Sequence, residues 1–156
     1  MIELNIPGRD PIKLKHLVCD VNGTLALDGR LLPAVTGRLG ALSDRLQIHL
    51  VTADTHGRQA AIDSRLGMEA VIIPAEDQVG AKTAYIQGLG PEGVIAIGQG
   101  ANDAGMLAQA AIGVAVLSTE GLAIDSLNAA DLVVPDIMTA LELLEKPLRL
   151  VASLRL

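Results

Sequence analysis

Asp20 is the first residue of this chain whose setting suggests chemistry. It follows the apolar run Leu17-Val18-Cys19 and opens the stretch Asp20-Val21-Asn22-Gly23-Thr24. Thr52 follows a second apolar run, in Thr52-Ala53-Asp54. Lys82 begins a helical stretch and is the only lysine between Lys15 and Lys146. The loop Gly98-Gln99-Gly100-Ala101-Asn102-Asp103 follows another apolar run. Each alone has an ordinary reading as a turn, a solvated charge or a helix cap. Together they line up a carboxylate, a hydroxyl, an ammonium and a second carboxylate just past apolar runs. Ligands of open α/β sheets bind outside the carboxyl ends of strands, so this order points to a ligand site at that end of the sheet.

Such residues need strands to carry them. Apolar runs at 17–19, 48–51, 71–73, 94–97, 112–116 and 132–134 lack clean alternation, as in strands buried on both faces. Helices are expected between them at 33–46, 56–66, 80–89, 102–110, 120–128 and 137–144. Pro33 starts the first of these, where a missing N–H costs least. This alternation predicts an α/β, three-layer, Rossmann-like domain with a mainly parallel sheet. At the N-terminus Ile2, Leu4 and Ile6 alternate with polar residues, and Lys13 and Lys15 flank Leu14. That pattern predicts a hairpin added to the sheet edge, with lysines discouraging further pairing. Asp28-Gly29 predicts a second hairpin within 25–32. No linker or repeat interrupts the chain, so residues 1–156 are expected to form one domain.

Composition narrows the function. The chain has 156 residues, enough for one core. It has no Phe or Trp, and Tyr85 is its only aromatic, so the core must be aliphatic. A net charge of −6 without a basic run argues against nucleic acid and anionic membranes as partners. Mean hydropathy is +0.43, yet Gln109 and Gly113 break the longest apolar stretch well short of a membrane span. Cys19, the sole cysteine, reads as a core residue. With no leader pattern at Met1-Ile2-Glu3-Leu4, a reducing, cytoplasmic setting is expected.

The motif residues resemble those of the haloacid dehalogenase (HAD) superfamily at Asp20, Thr52, Lys82 and the 98–103 loop. The likeness is nearest to the phosphorylation domain of P-type ATPases. Thr52-Ala53-Asp54 resembles their Thr-Gly-Asp, and Gly98-Gln99-Gly100-Ala101-Asn102-Asp103-Ala104 resembles their Gly-Asp-Gly-x-Asn-Asp-Ala. It extends through Ala110-Ala111-Ile112-Gly113-Val114-Ala115 to Ala129-Ala130-Asp131-Leu132-Val133-Val134 and covers roughly 16–144. The resemblance implies a HAD fold and an aspartyl-phosphate on Asp20. It places a phosphoryl group against Asp20, Gly23, Thr52, Ala53 and Lys82. It implies Mg²⁺ as cofactor, with Asp20, the Asn22 backbone carbonyl, Asp103, Gln99 and Asn102 as its candidate ligands or orienting groups. The partner would be a small phosphorylated substrate or phosphoryl donor.

Two positions depart from the pattern. HAD phosphatases usually carry an acid–base Asp two residues beyond the nucleophile; here it is Asn22, which cannot move a proton near neutral pH. Gln99 replaces a metal-binding Asp with a neutral amide. There is also no room for an inserted nucleotide-binding domain after Asp20, or for a cap between Thr52 and Lys82. A capless site is open to water unless another subunit covers it. The apolar 25–32 flap would either build a homo-oligomer, as in the KDO-phosphate phosphatases it resembles, or fold onto its own domain. His56 reads as a first-turn helix residue or a pocket residue, Asp54 as a helix cap or a metal-site neighbour, and His16 and His49 as structural. Three functions are left: a slow Mg²⁺-dependent phosphatase or phosphotransferase acting through Asp20, Asn22, Thr52 and Lys82; a regulatory module that binds phosphate and Mg²⁺; and a capless sugar-phosphate phosphatase.

Overall fold

The computed structural model describes residues 1–156. Its strands are β1 (Ile2–Leu4), β2 (Ile12–Leu14), β3 (His16–Asp20), β4 (Ala26–Leu27), β5 (Arg30–Leu31), β6 (Gln47–Thr52), β7 (Val71–Ile72), β8 (Val94–Gly98), β9 (Ile112–Val116) and β10 (Leu132–Val134). The helices are α1 (Val35–Leu42), α2 (Gln59–Leu66), α3 (Gln78–Leu89), α4 (Ala104–Gln109), α5 (Ile124–Ala129), α6 (Ile137–Glu145) and α7 (Pro147–Leu154). Six strands form one parallel sheet in the order β10-β9-β8-β3-β6-β7. From β3 the chain runs outward to β6 and β7, then returns across β3 to build β8, β9 and β10. The direction of winding therefore reverses between β3 and β8, which is where such sheets open a crevice for ligands.

Successive strand residues point to opposite faces, and in the central strands β3, β8 and β9 both faces are buried. Leu17, Cys19, Leu50, Ile95, Ile97, Ile112, Val114 and Val116 join a core of 29 buried residues shared with α1, α6 and α7. The alternate residues Val18, Val51, Val94, Ala96 and Ala115 join a core of only 9, shared with Ile86 of α3 and Met106 and Leu107 of α4. The second core is thin because its sheet residues are small. A Cβ on Gly113 would collide with the Leu107 carbonyl, and one on Gly105 with the Thr83 hydroxyl. These glycines let α4 lie close against both the sheet and α3. That close approach brings Lys82 of α3 beside Asp103, the residue just before α4. With no Phe or Trp, the larger core is built from Leu, Ile and Val, each contributing about 1.5–3 kcal/mol when fully buried.

The layered α/β architecture matches the expectation from sequence, but the N-terminal hairpin does not join the main sheet. β1 and β2 pair only with each other. The chain passes from β2 straight into β3, whose two edges are already taken by β6 and β8, so it offers the hairpin no free edge. The hairpin instead buries Ile2, Leu4 and Leu14 in the larger core and packs β1 against α7. A further helix, α7, follows the expected 137–144 helix. Pro147 opens it at a first-turn position, and Leu150 and Leu154 bury one face. Helix starts also differ. α2 begins at Gln59 rather than 56, after the turn that holds His56. α5 begins at Ile124 rather than 120, which leaves Glu120 in a loop.

Candidate active site

Three parallel strands deliver the motif residues to one end of the sheet. Asp20 is the last residue of β3, Thr52 the last of β6 and Gly98 the last of β8. Register pairs Asp20 with Val51, so Thr52 stands one step further out. Asp20, Asn22, Thr52, Ala53, Thr55, His56, Gln78, Gln99, Asn102 and Glu120 line a pocket of about 230 Å³. Gly23 lies at its edge, in a left-handed conformation at φ 82°. Lys82 and Asp103 lie just behind the lining.

At the floor one ammonium is shared by two carboxylates. Lys82 Nζ donates to Asp20 Oδ1 and to Asp103 Oδ1, both at 2.6 Å. All three are buried: Lys82 is 1 % exposed, Asp20 5 % and Asp103 0 %. Burial is the largest force on Asp20 and pushes its carboxyl up, Asp103's charge adds to this, and Lys82 and Thr24 only partly oppose it, leaving the group at about 7. Lys82 is pulled down by burial, but its two carboxylate partners outweigh that and hold it charged. One positive charge between two carboxylates leaves the floor under-neutralised, a setting that favours a further cation. Thr24, 1 % exposed, donates to Asp20 Oδ2 at 3.0 Å.

Asp103 is fixed from the other side. Its Oδ2 accepts the backbone N–H groups of Gln99 at 2.9 Å and Gly100 at 3.0 Å. Gly98 makes room, because a Cβ there would sit 2.6 Å from Asp103 Cγ. Ser126 Oγ donates to the Gly100 carbonyl at 2.6 Å and ties the loop to α5. Both oxygens of Asp103 are thus engaged by protein donors, so its position is that of the Lys82 anchor. Asp77 caps α3 by accepting from Gly80 N at 3.0 Å, which fixes the helix turn that carries Lys82.

The pocket walls are polar and mostly neutral. Asn22 Nδ2 donates to Thr52 Oγ1 at 3.2 Å, and Asp54 N donates to the same oxygen at 3.0 Å. Thr52's own hydroxyl proton is left to point toward a ligand. Asn102 Nδ2 donates to Gln78 Oε1 at 2.6 Å. Gln99, 8 % exposed, donates from Nε2 to Glu120 Oε2 at 3.4 Å. The backbone carbonyl of Asn22 accepts no backbone hydrogen bond. The oxygens this pocket offers a cation, from Asp20, Glu120, the side-chain amides and the Asn22 main chain, suit a hard divalent cation rather than a soft one.

Other expectations resolve simply. Asp54 Oδ1 accepts from Arg58 N and Gln59 N, both at 3.0 Å, so it caps the start of α2. His56 does line the pocket, from an exposed turn. His16 and His49 lie away from it: His16 Nδ1 and His49 Nε2 are 3.1 Å apart, and His49 Nδ1 is 2.8 Å from the Tyr85 hydroxyl. Cys19 is buried, and its thiol is pushed far up by that burial and by Asp20, so it is inert. In the flap, Leu25 is fully buried in the larger core, and Leu31 and Leu32 pack against it. Sequence reasoning did not single out Gln78 or Glu120. Glu120 carries a readable signal, being an acidic residue in the segment just past the 112–116 strand, but it lies in the turn before α5 rather than in the expected 120–128 helix.

No protein-family model matches this sequence, and no curated protein is significantly similar to it. Solved structures do match. A 3-deoxy-D-manno-octulosonate 8-phosphate phosphatase from Moraxella catarrhalis, in complex with magnesium, phosphate and KDO, superposes with a TM-score of 0.69 at 18% identity, covering 85% of this chain and 86% of that one. A protein from Legionella pneumophila assigned to the HAD superfamily, subfamily III A, superposes with a TM-score of 0.70 at 19% identity, covering 90% and 87%. A zinc-transporting PIB-type ATPase in its E2.Pi state superposes with a TM-score of 0.57 at 28% identity, over 79% of this chain and 20% of that far longer one. With the motif residues gathered at the ends of β3, β6 and β8, this chain has the fold of the haloacid dehalogenase superfamily.

Proposed function

We propose that this protein is a HAD-type hydrolase: a slow, Mg²⁺-dependent phosphatase or phosphotransferase of small phosphate esters or phosphoryl donors, acting through Asp20. The observation that carries this reading is the buried Asp20–Lys82–Asp103 array, with Lys82 Nζ 2.6 Å from a carboxylate oxygen on each side. Burying an ammonium between two carboxylates is costly to build and is weak evidence for stability alone. It is good equipment for bringing a carboxylate and a phosphoryl group together.

In the proposed reaction an Asp20 carboxylate oxygen attacks phosphorus. A bond forms from Asp20 to phosphorus as the ester or anhydride P–O bond breaks. Thr52 donates its hydroxyl proton to a phosphoryl oxygen, the main chain at Gly23 and Ala53 lines the same oxygens, and Lys82 places its charge beside the attacking carboxylate. Mg²⁺, when bound, would neutralise negative charge shared between Asp20 and the phosphoryl group. Asp20, the Asn22 carbonyl and Gln99 would hold it, with Asn102 at the rim, while Asp103 acts through Lys82. Mg²⁺ is commonly bound by only one or two carboxylates together with substrate phosphate, so this sparse donor set fits.

Asn22 sets the speed. Its amide cannot protonate a leaving oxygen or activate water, so both protons must be exchanged with solvent. General acid–base catalysis contributes roughly 10²–10⁴-fold, and turnover should be slower by about that factor. The aspartyl-phosphate should accordingly be long-lived. The magnesium- and phosphate-bound state of the Moraxella catarrhalis phosphatase supports this reading by analogy of fold. The polar pocket supports a small hydrophilic ester.

The test is Mg²⁺-dependent hydrolysis of p-nitrophenyl phosphate by wild type, Asp20→Asn and Asn22→Asp. Residue 22 is first mapped by mass spectrometry, because Asn22-Gly23 is prone to deamidation and an Asp fraction would mimic activity. The reading expects slow wild-type turnover, none in Asp20→Asn and a gain of roughly 10²–10⁴-fold in Asn22→Asp. If activity persists in Asp20→Asn, the proposed nucleophile is wrong.

A further inference from the structure

Gln99 and Glu120 meet over Gly23. Gln99 ends β8's loop side of the pocket, and Glu120 comes from the turn after β9, where Glu120 N donates to Ser118 Oγ at 3.1 Å and Gly121 N to the Ser118 carbonyl at 2.9 Å. Both side chains reach the space above the Gly23 Cα, since a Cβ on Gly23 would collide with Gln99 Nε2 and with Glu120 Oε2. Gly23 directly follows Asn22, whose carbonyl accepts no backbone hydrogen bond. Both also line the pocket that Asp20 floors. Gln99 is 92 % buried by its 8 % exposure, and its amide oxygen accepts no hydrogen bond from the protein. The glutamate's only side-chain partner is the Gln99 amide.

We infer that Glu120 is the second carboxylate of the divalent-cation site, supplying from the neighbouring loop the charge that Gln99 lacks. The inference rests on the cation-assisted reading above and deepens it. Among the pocket-lining residues only Asp20 and Glu120 carry carboxylates. Together they would make a two-carboxylate site completed by amide and main-chain oxygens. That is the donor type and charge count a Mg²⁺-sized cation accepts when it keeps several waters. Gln99 turns its NH₂ toward Glu120, and a rotation of the amide would present Oε1 on the same side. Glu120 is exposed, so its carboxylate carries no large desolvation penalty before binding. Gly23 is then required twice, for its positive φ and for the gap through which both side chains enter.

The test is Mn²⁺ binding, read by loss of the free-ion EPR signal in wild type, Glu120→Gln, Asp20→Asn and the double variant Glu120→Gln/Gln99→Asp. Circular dichroism checks that each is folded, and the exposure of Glu120 makes its isosteric amide variant a mild change. The inference expects Glu120→Gln to weaken Mn²⁺ binding about tenfold or more and the added Gln99→Asp to restore it. If Glu120→Gln binds like wild type while Asp20→Asn does not, Glu120 is not a ligand and the cation site stands without it. If Asp20→Asn binds like wild type, or wild type does not bind, the cation-assisted reading falls and this inference falls with it. Loss in Glu120→Gln that Gln99→Asp fails to restore overturns the charge-replacement argument.

Discussion

Replacing Lys82 by Met keeps the length and apolar stem of the side chain and removes its charge. The change leaves Asp20 and Asp103, at 5 % and 0 % exposure, facing each other without the ammonium that now holds both at 2.6 Å. Breaking a buried ion pair by removing one partner costs about 3–5 kcal/mol. For a domain of this size about 1 kcal/mol moves the melting temperature by roughly 2–4 °C, so a drop of about 6–20 °C is expected. The cost must also depend on pH. Asp20 already holds its proton up to about 7 in the wild type, and loss of Lys82 raises that further. At pH 5.5 protonation of Asp20 relieves most of the repulsion, whereas at pH 8 the wild type keeps its compensation and the variant does not. Urea unfolding at both pH values should show the larger deficit at pH 8. Adding Asp20→Asn to Lys82→Met should recover part of it. A loss under about 1 kcal/mol at both pH values, where exposed pairs fall, would refute the shared-ammonium description.

The floor makes further predictions. Thr24→Val removes the hydroxyl that donates to Asp20 Oδ2 at 3.0 Å and should cost about 1–3 kcal/mol in urea unfolding; an unchanged midpoint would show that this bond is idle. Gly113→Ala puts a methyl group into the Leu107 carbonyl and should cost about 1–3 kcal/mol by overpacking, with reduced Mg²⁺-dependent activity because α4 carries Asp103 at its start; a stable, fully active variant would contradict the close-packing argument. In EDTA, Asp20 should contribute a fall in stability as pH rises from its ordinary value near 3.8 to about 7, because there the folded state binds the proton that the unfolded chain has released. The difference between wild type and Asp20→Asn isolates this slope, and a flat difference across that range would contradict it.

Much of the scaffold was legible because its signals are local. Apolar runs marked all six strands of the main sheet, and the motif residues fell at their ends because Asp20, Thr52 and Gly98 each terminate a run. The hairpin's partner was not legible. Ile2, Leu4 and Leu14 show that it has a buried face, but sheet membership depends on which strand edges are free, and β3 has none. The roles of the two motif carboxylates were only partly legible. Spacing placed Asp103 near the pocket, while its engagement by Lys82, Gln99 N and Gly100 N arises from the close approach of α3 and α4 permitted by Gly105 and Gly113. Glu120 escaped because its neighbours have helical character, and the turn at Ser118–Gly121 overrides it with hydrogen bonds invisible in the pattern. The flap's dual reading came from Leu25, Leu27, Leu31 and Leu32 being equally apolar in sequence; only packing separates the buried Leu25 from its half-buried neighbours.

In the proposed reaction Asp20 takes a phosphoryl group and, with Asn22 two residues on, releases it slowly. Acid-quenched peptide mass analysis after incubation with Mg²⁺ and acetyl phosphate tests it most directly. The peptide containing Asp20 should gain the mass of one phosphoryl group. The gain should be absent in Asp20→Asn and shorter-lived in Asn22→Asp. A wild type that gains no mass while still hydrolysing phosphate esters, or a label on a peptide without Asp20, would contradict it.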